Sequence, residues 1–178
     1  SETGNRAGKH LSGASTINNV NGNFNDGFVF SQDFMFKNFN SSLEMQWNFL
    51  SSENGWENII NIEGGTLNLH SLSGWRYLRK ISSDKWYNLT AYMHTGSVST
   101  DILCDLYLDG EMIASDVAVL NLAEKEYSDG RVPKIIPFAK NFGSAELYFD
   151  NIQIYSGEYG SAAGRKLLYG ENFESGRW

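Results

Sequence analysis

One short segment, residues 74–77, combines two aromatic side chains with a guanidinium group, because Trp75 and Tyr77 flank Arg76. Sugar rings have an apolar face of C–H groups that stacks on indole and phenol rings, and polar neighbours bind the hydroxyls. The segment therefore predicts a sugar-binding site formed by Trp75, Arg76 and Tyr77. The alternative is that Trp75 or Tyr77 is half-buried in the core, as aromatic residues in β proteins usually are.

Three further rings are candidates for the same kind of binding. Trp56 stands in a predicted turn, and Tyr92 and His94 share one strand face with Asn88 and Thr90. If that face lines a concave sheet, Tyr92 and His94 would line a groove. A lone histidine is, however, more often a surface residue or one with satisfied hydrogen bonds than a ligand.

The sequence contains little that indicates a catalytic site. A retaining glycosidase holds two carboxyl groups about 5–5.5 Å apart, yet the chain has no closely spaced pair on one strand: Glu44, Glu57, Glu63 and Glu146 are isolated in sequence. Nucleophile-elbow, zinc-protease and phosphate-loop motifs do not occur either. The sequence therefore predicts no catalytic residue.

The elements that must position the candidate residues are strands, because apolar residues recur at every second position. The clearest run alternates with polar residues and comprises Leu43, Met45, Trp47 and Phe49; another comprises Phe28, Phe30, Phe34 and Phe36. Further strands are predicted at residues 59–62, 67–69, 86–94, 102–108, 112–120 and 146–155. Since Trp47 and Trp86 stand in such runs, both are expected in the core.

Turn signals separate these strands. Asp109-Gly110 and Gly64-Gly65 are typical of two-residue hairpin turns, and Pro133 and Pro137 bracket an edge strand or a loop. Only residues 120–127 suit a short helix. About ten to thirteen strands with regularly spaced turns predict an all-β, antiparallel β-sandwich that forms a single domain over residues 1–178.

The composition disfavours some kinds of binding partner. The formal net charge of −7 disfavours nucleic acid, whose phosphates are bound by clustered Lys and Arg. No stretch approaches the roughly 20 apolar residues of a membrane span. The single cysteine, Cys104, lies in an apolar strand pattern and is expected to be a buried structural thiol.

Three stretches resemble known domains. Residues 85–90 (KWYNLT) with 105–111 (DLYLDGE) are similar to the central hairpin of concanavalin A-like and laminin-G-like lectin domains. Residues 147–154 (LYFDNIQI) resemble the last strand of jelly-roll carbohydrate-binding modules, and residues 171–176 (ENFESG) resemble their first strand. Because the first-strand motif follows the last-strand motif, either the domain is circularly permuted, with residues 167–178 supplying a terminal strand, or a next repeat begins there.

The resemblance also implies a structural Ca²⁺ held by an Asp of the last strand and an acidic residue of the first strand. Here those residues are Asp150 and Glu174, with Asn172 as a further ligand. Carboxylates and carbonyls are the oxygen ligands that Ca²⁺ takes. The alternative is that Asp150 caps a turn or faces water.

We expect a non-catalytic carbohydrate-binding or adhesive module of a secreted or cell-surface protein, with a polysaccharide or glycan as partner. A jelly-roll polysaccharide lyase or glycoside hydrolase is the first alternative, and a structural spacer without a ligand is the second. The chain is expected to be a monomer or, if its C-terminal strand pairs with another molecule, a strand-exchanged dimer.

Overall fold

The computed structural model describes residues 8–10, 13–14, 27–51, 55–95, 101–123, 135–157 and 166–171. In these ranges the regular elements are all strands, so they include no helix that could cross a membrane. The strands are β1 Gly8–His10, β2 Gly13–Ala14, β3 Phe28–Lys37, β4 Glu44–Ser51, β5 Gly55–Glu63, β6 Thr66–Ser71, β7 Gly74–Lys80, β8 Trp86–Thr95, β9 Asp101–Leu108, β10 Glu111–Ala123, β11 Ile135–Lys140, β12 Glu146–Ser156 and β13 Lys166–Glu171.

The strands form two antiparallel sheets. Sheet one has the order β12-β3-β8-β9-β10, with β1 and β13 both on the free edge of β12, and sheet two has the order β7-β6-β5-β4-β11-β2. One pairing, between Val119 of β10 and Ser71 of β6, joins the two sheets along an edge. The described strands thus form the antiparallel β-sandwich that the sequence predicts.

The core lies between the sheets and is built from the alternating residues. The phenylalanines of β3 at positions 28, 30, 34 and 36, and Leu43, Met45, Trp47 and Phe49, are all fully or almost fully buried, as predicted. Rings from the two sheets meet directly, since the Phe34 and Trp47 centroids are 5.6 Å apart in edge contact. Cys104 is buried, and burial raises the pKa of its thiol, so Cys104 stays protonated.

Both predicted hairpin turns have the backbone geometry that their residues favour. Asp109 and Gly110 have φ values of 52° and 80°, and Gly64 and Gly65 have 58° and 77°. Positive φ at both central positions defines the type I′ turn, whose twist matches that of paired strands.

The structure corrects the expectations for Trp86 and for residues 120–127. Trp86 is 42% exposed, because the inward positions of β8 are Tyr87, Leu89, Ala91 and Met93, and Trp86 therefore faces outwards. Residues 120–123 continue β10 rather than starting a helix, since the alternation of buried Val117 and Val119 carries on the strand. The rest of that predicted helix lies outside the described residues.

The two terminal strands share one edge of β12. Lys166–Glu171 pairs with residues 152–156, and Gly8–His10 pairs with residues 147–149. Both run antiparallel to β12, so β13 points along the edge towards the start of β1. Of the motif that resembles a first strand, only Glu171 lies in the described residues, and it pairs with Ile152.

Trp47 provides a test of this packing. It is fully buried, and its Nε1–H donates to Gln32 Oε1 at 2.9 Å. We expect Trp47→Ala to lower the free energy of unfolding by about 3–5 kcal/mol through lost burial and a residual cavity. Trp86→Ala is the matched control and should cost about 1 kcal/mol or less. Equal losses in urea denaturation would contradict the assignment of the two tryptophans to opposite faces of their sheets.

Candidate functional site

The outer face of sheet two carries two rows of polar side chains that run across its strands. In the first row Gln46 lies opposite Asn61, Asn61 opposite Asn68, and Asn68 opposite Tyr77. In the second row Asn48 lies opposite Asn58, and His70 lies opposite Trp75. We call this surface the amide face; its residues are Gln46, Asn48, Asn58, Asn61, Asn68, His70, Trp75 and Tyr77.

The rows follow from the core. Because Met45, Trp47, Leu67 and Leu69 point inwards, the residues between them must point outwards in register. The same alternation sets Trp75 and Tyr77, two positions apart on β7, on one side of the strand. Each row thus ends in an aromatic residue of β7.

Hydrogen bonds hold amide side chains in place but leave some of their oxygen atoms without a donor. Asn68 Nδ2 donates to Asn61 Oδ1 at 2.8 Å and to the Thr66 carbonyl at 3.0 Å. His70 Nδ1 lies 3.3 Å from the Asn58 carbonyl oxygen, which links the two halves of the second row. Among the described residues, Asn58 Oδ1 and Asn68 Oδ1 have no hydrogen-bond partner. Asn61 and Asn68 are only 2% and 3% exposed, and a buried acceptor without a partner is costly.

The aromatic end of the amide face is flat and open. His70 and Trp75 stack at 4.1 Å between centroids and 12° between planes, while Tyr77 is 78% exposed. Arg76 is exposed but lies opposite the inward-facing Leu69, so alternation separates it from Trp75 and Tyr77. The expectation that Trp56 stands in a turn is wrong, since it lies in β5 opposite Leu50; its side chain is outside what the structure describes.

A charged row borders the amides. Glu44 lies opposite Glu63, although the two carboxylates are 19 positions apart in the sequence. Lys140 Nζ lies 2.9 Å from Glu44 Oε2, and this contact raises the pKa of Lys140. Gln46 Nε2 also donates to Glu44 Oε1. The Glu44 carboxylate is therefore already engaged on both oxygens.

Three further predicted residues, Tyr92, His94 and Asp150, belong to strands of sheet one. Tyr92 and His94 stack there at 4.6 Å, away from Trp75 and Tyr77. Asp150 is buried opposite Asp33, and its Oδ1 accepts the Asn151 N–H at 2.8 Å. The other two predicted calcium ligands, Asn172 and Glu174, lie outside the described residues, so the calcium site stays a prediction.

Comparison with known proteins bears on the fold. No family model matches the chain, and no curated protein matches its sequence. A sialidase structure aligns at a TM-score of 0.52 and 15% identity, covering 74% of this chain and 13% of the sialidase. A carbohydrate-binding module from Bacillus subtilis aligns at 0.45 and 13% identity over 82% of this chain and 83% of its own. A galectin from Caenorhabditis elegans aligns at 0.44 and 13% identity over 79% and 92%.

At these identities the likeness concerns the fold alone. The chain spans only a small part of the sialidase, so nothing about the whole sialidase is carried over. The likeness to the sialidase structure agrees with the antiparallel β-sandwich that the described strands form.

Proposed function

We propose that the chain is a carbohydrate-binding module and that its ligand lies along the amide face. The observation that carries the proposal is the pair of cross-strand rows, each of which begins with neutral amides and ends in an aromatic residue. An amide both donates and accepts, as a sugar hydroxyl does. The exposed Tyr77 ring and the Trp75 ring offer surfaces on which the C–H face of a sugar can stack.

Dimensions and charge suggest the class of glycan. Four strands at about 4.8 Å spacing make each row about 14 Å long, which suits a short oligosaccharide better than one monosaccharide. With His70 neutral, neither row carries a formal charge. Glu63, at the border of the amide face, would repel an anionic sugar. We therefore favour a neutral glycan as the ligand, of the kind that a secreted or cell-surface module encounters.

The binding prediction starts with a glycan array to identify a ligand and continues with titration calorimetry. We expect Tyr77→Ala to weaken binding roughly tenfold, or about 1–2 kcal/mol, because the stacking ring is lost. Since Tyr77 is largely exposed, the variant should fold normally. Tyr77→Phe keeps the ring and should retain most of the affinity.

Trp86→Ala is the matched aromatic control, because Trp86 is exposed on the outer face of sheet one. It should bind as the parent does. If Trp86→Ala abolished binding and Tyr77→Ala did not, the ligand would lie on sheet one and the amide face would be excluded.

A glycoside hydrolase is the second candidate, favoured by the opposed carboxylates of Glu44 and Glu63. The contacts of Glu44 with Lys140 and Gln46 argue for a structural role instead. We therefore expect that incubating the bound glycan with the protein releases no reducing ends. Release that disappears in Glu63→Gln would establish hydrolysis and overturn the non-catalytic assignment.

We also propose that Ca²⁺ binds at Asp150 and ties the terminal strands together. An ion that binds only the folded state raises its stability, by about 2.7 kcal/mol at a hundredfold excess over Kd. For a chain of this size that corresponds to a Tm about 5–10 °C higher in Ca²⁺ than in chelator. Asp150→Asn should lose the shift, while Asp84→Asn, at an exposed turn, should keep it. Identical melting of the parent in Ca²⁺ and in chelator would count against the site.

A further inference from the structure

Away from the amide face, three side chains converge on the outer surface of sheet one. His94 of β8 lies between Asp105 of β9 and Asp116 of β10, and we call these residues the His94 cluster. The His94 Nε2 atom is 3.5 Å from Asp105 Oδ2 and 3.6 Å from Asp116 Oδ1. One potential ligand atom from each residue lies within 4.8 Å of the other two.

An irregularity in β10 brings the second carboxylate into place. The β9–β10 register shifts between Ala114 and Val117, and Asp116 has a φ of 50°. The Asp116 N–H donates to Asp105 Oδ1 at 2.6 Å. This bond occupies one oxygen of Asp105 and leaves Oδ2 facing His94. Bulges often redirect side chains in this way beside functional sites.

The contacts to His94 are too long for ordinary hydrogen bonds, which span about 2.7–3.2 Å. His94 is only 16% exposed in its side chain, and its Nε2 atom is buried without a hydrogen-bond partner among the described residues. Two carboxylates that converge on a buried nitrogen without bonding it leave room for something between them.

The spacing fits a metal ion. Zinc sits about 2.0–2.2 Å from nitrogen and oxygen ligands in a tetrahedron, which places neighbouring ligand atoms about 3.4 Å apart. The two observed separations of 3.5 and 3.6 Å match that value. An imidazole nitrogen suits zinc and similar transition metals, whereas Ca²⁺ and Mg²⁺ take oxygen ligands.

We infer that the His94 cluster is a zinc site with three protein ligands and a fourth position open to solvent. Asp116 is 69% exposed in its side chain, so one side of the site is accessible. The imidazole is held against the Tyr92 ring at 4.6 Å. Gly27 leaves room for the Tyr92 ring, because a Cβ there would lie 2.9 Å from Tyr92 Cε2. The site is separate from both the amide face and Asp150, and it does not depend on glycan binding.

The test is titration of the metal-free chain with ZnCl₂ in a non-chelating buffer, followed by calorimetry and by Tm. We expect one equivalent to bind and to raise Tm, and Co²⁺ to give the strong visible absorption of a four-coordinate site. His94→Gln should weaken zinc binding at least about tenfold. Asp116→Asn is the second variant: asparagine tolerates positive φ, so the fold is retained while the charged ligand is lost.

Two control variants separate this site from other zinc ligands. His70→Gln removes an imidazole elsewhere and should leave zinc binding unchanged, as should Asp150→Asn. Cys104 does not compete, because burial keeps its thiol protonated. The proposal is overturned if the parent chain binds no zinc, if His94→Gln binds it as tightly as the parent, or if Ca²⁺ but not Zn²⁺ binds at these residues.

Discussion

Two sheets that face each other must each bury one side, and the register of every strand pair in the sandwich depends on that requirement. A slip of one residue would exchange the buried and exposed sets of a strand. The contact between Phe34 and Trp47 fixes the position of one sheet against the other. The indole N–H of Trp47 also needs an acceptor when buried, and Gln32 supplies it from the opposite sheet. A slipped β4 would lose the aromatic contact and leave both polar groups unpaired.

The same constraint creates the surfaces on which ligands can bind. Once the inward positions are occupied by apolar residues, the outward positions of neighbouring strands line up in rows. On β4, β5 and β6 those positions hold amides, which add no charge to be desolvated when a neutral ligand arrives. Among the described strands, β7 pairs only with β6, so its outward rings can be reached from the side. The amide face therefore follows from how the core is packed.

The alternation inside each strand could be predicted from the sequence, and so could the shared orientation of Trp75 and Tyr77. The rows could not, because Gln46 and Asn68 are 22 positions apart and come into one row only through their shared partner Asn61 on β5. Glu44 and Glu63 are opposed for the same reason. The core assignment of Trp86 is wrong because an apolar residue at the start of a strand need not point inwards. The His94 cluster depends on a bulge and on the left-handed Asp116, which leave no periodic signal in the sequence.

The outer faces of the two sheets differ in what they leave available to a ligand. On sheet one, away from the His94 cluster, the polar groups around Asp33 satisfy one another: Ser31 and Thr90 hydroxyls lie 3.0 Å apart, and Asp33 accepts bonds from Asn88 at 2.7 Å and Asn151 at 2.6 Å. A sugar that bound there would have to break bonds already made. On the amide face, Asn58 Oδ1 and Asn68 Oδ1 have no partner among the described residues. An acceptor that is already desolvated loses nothing when a hydroxyl donates to it, so a bond made there adds more to affinity than one that replaces an existing bond.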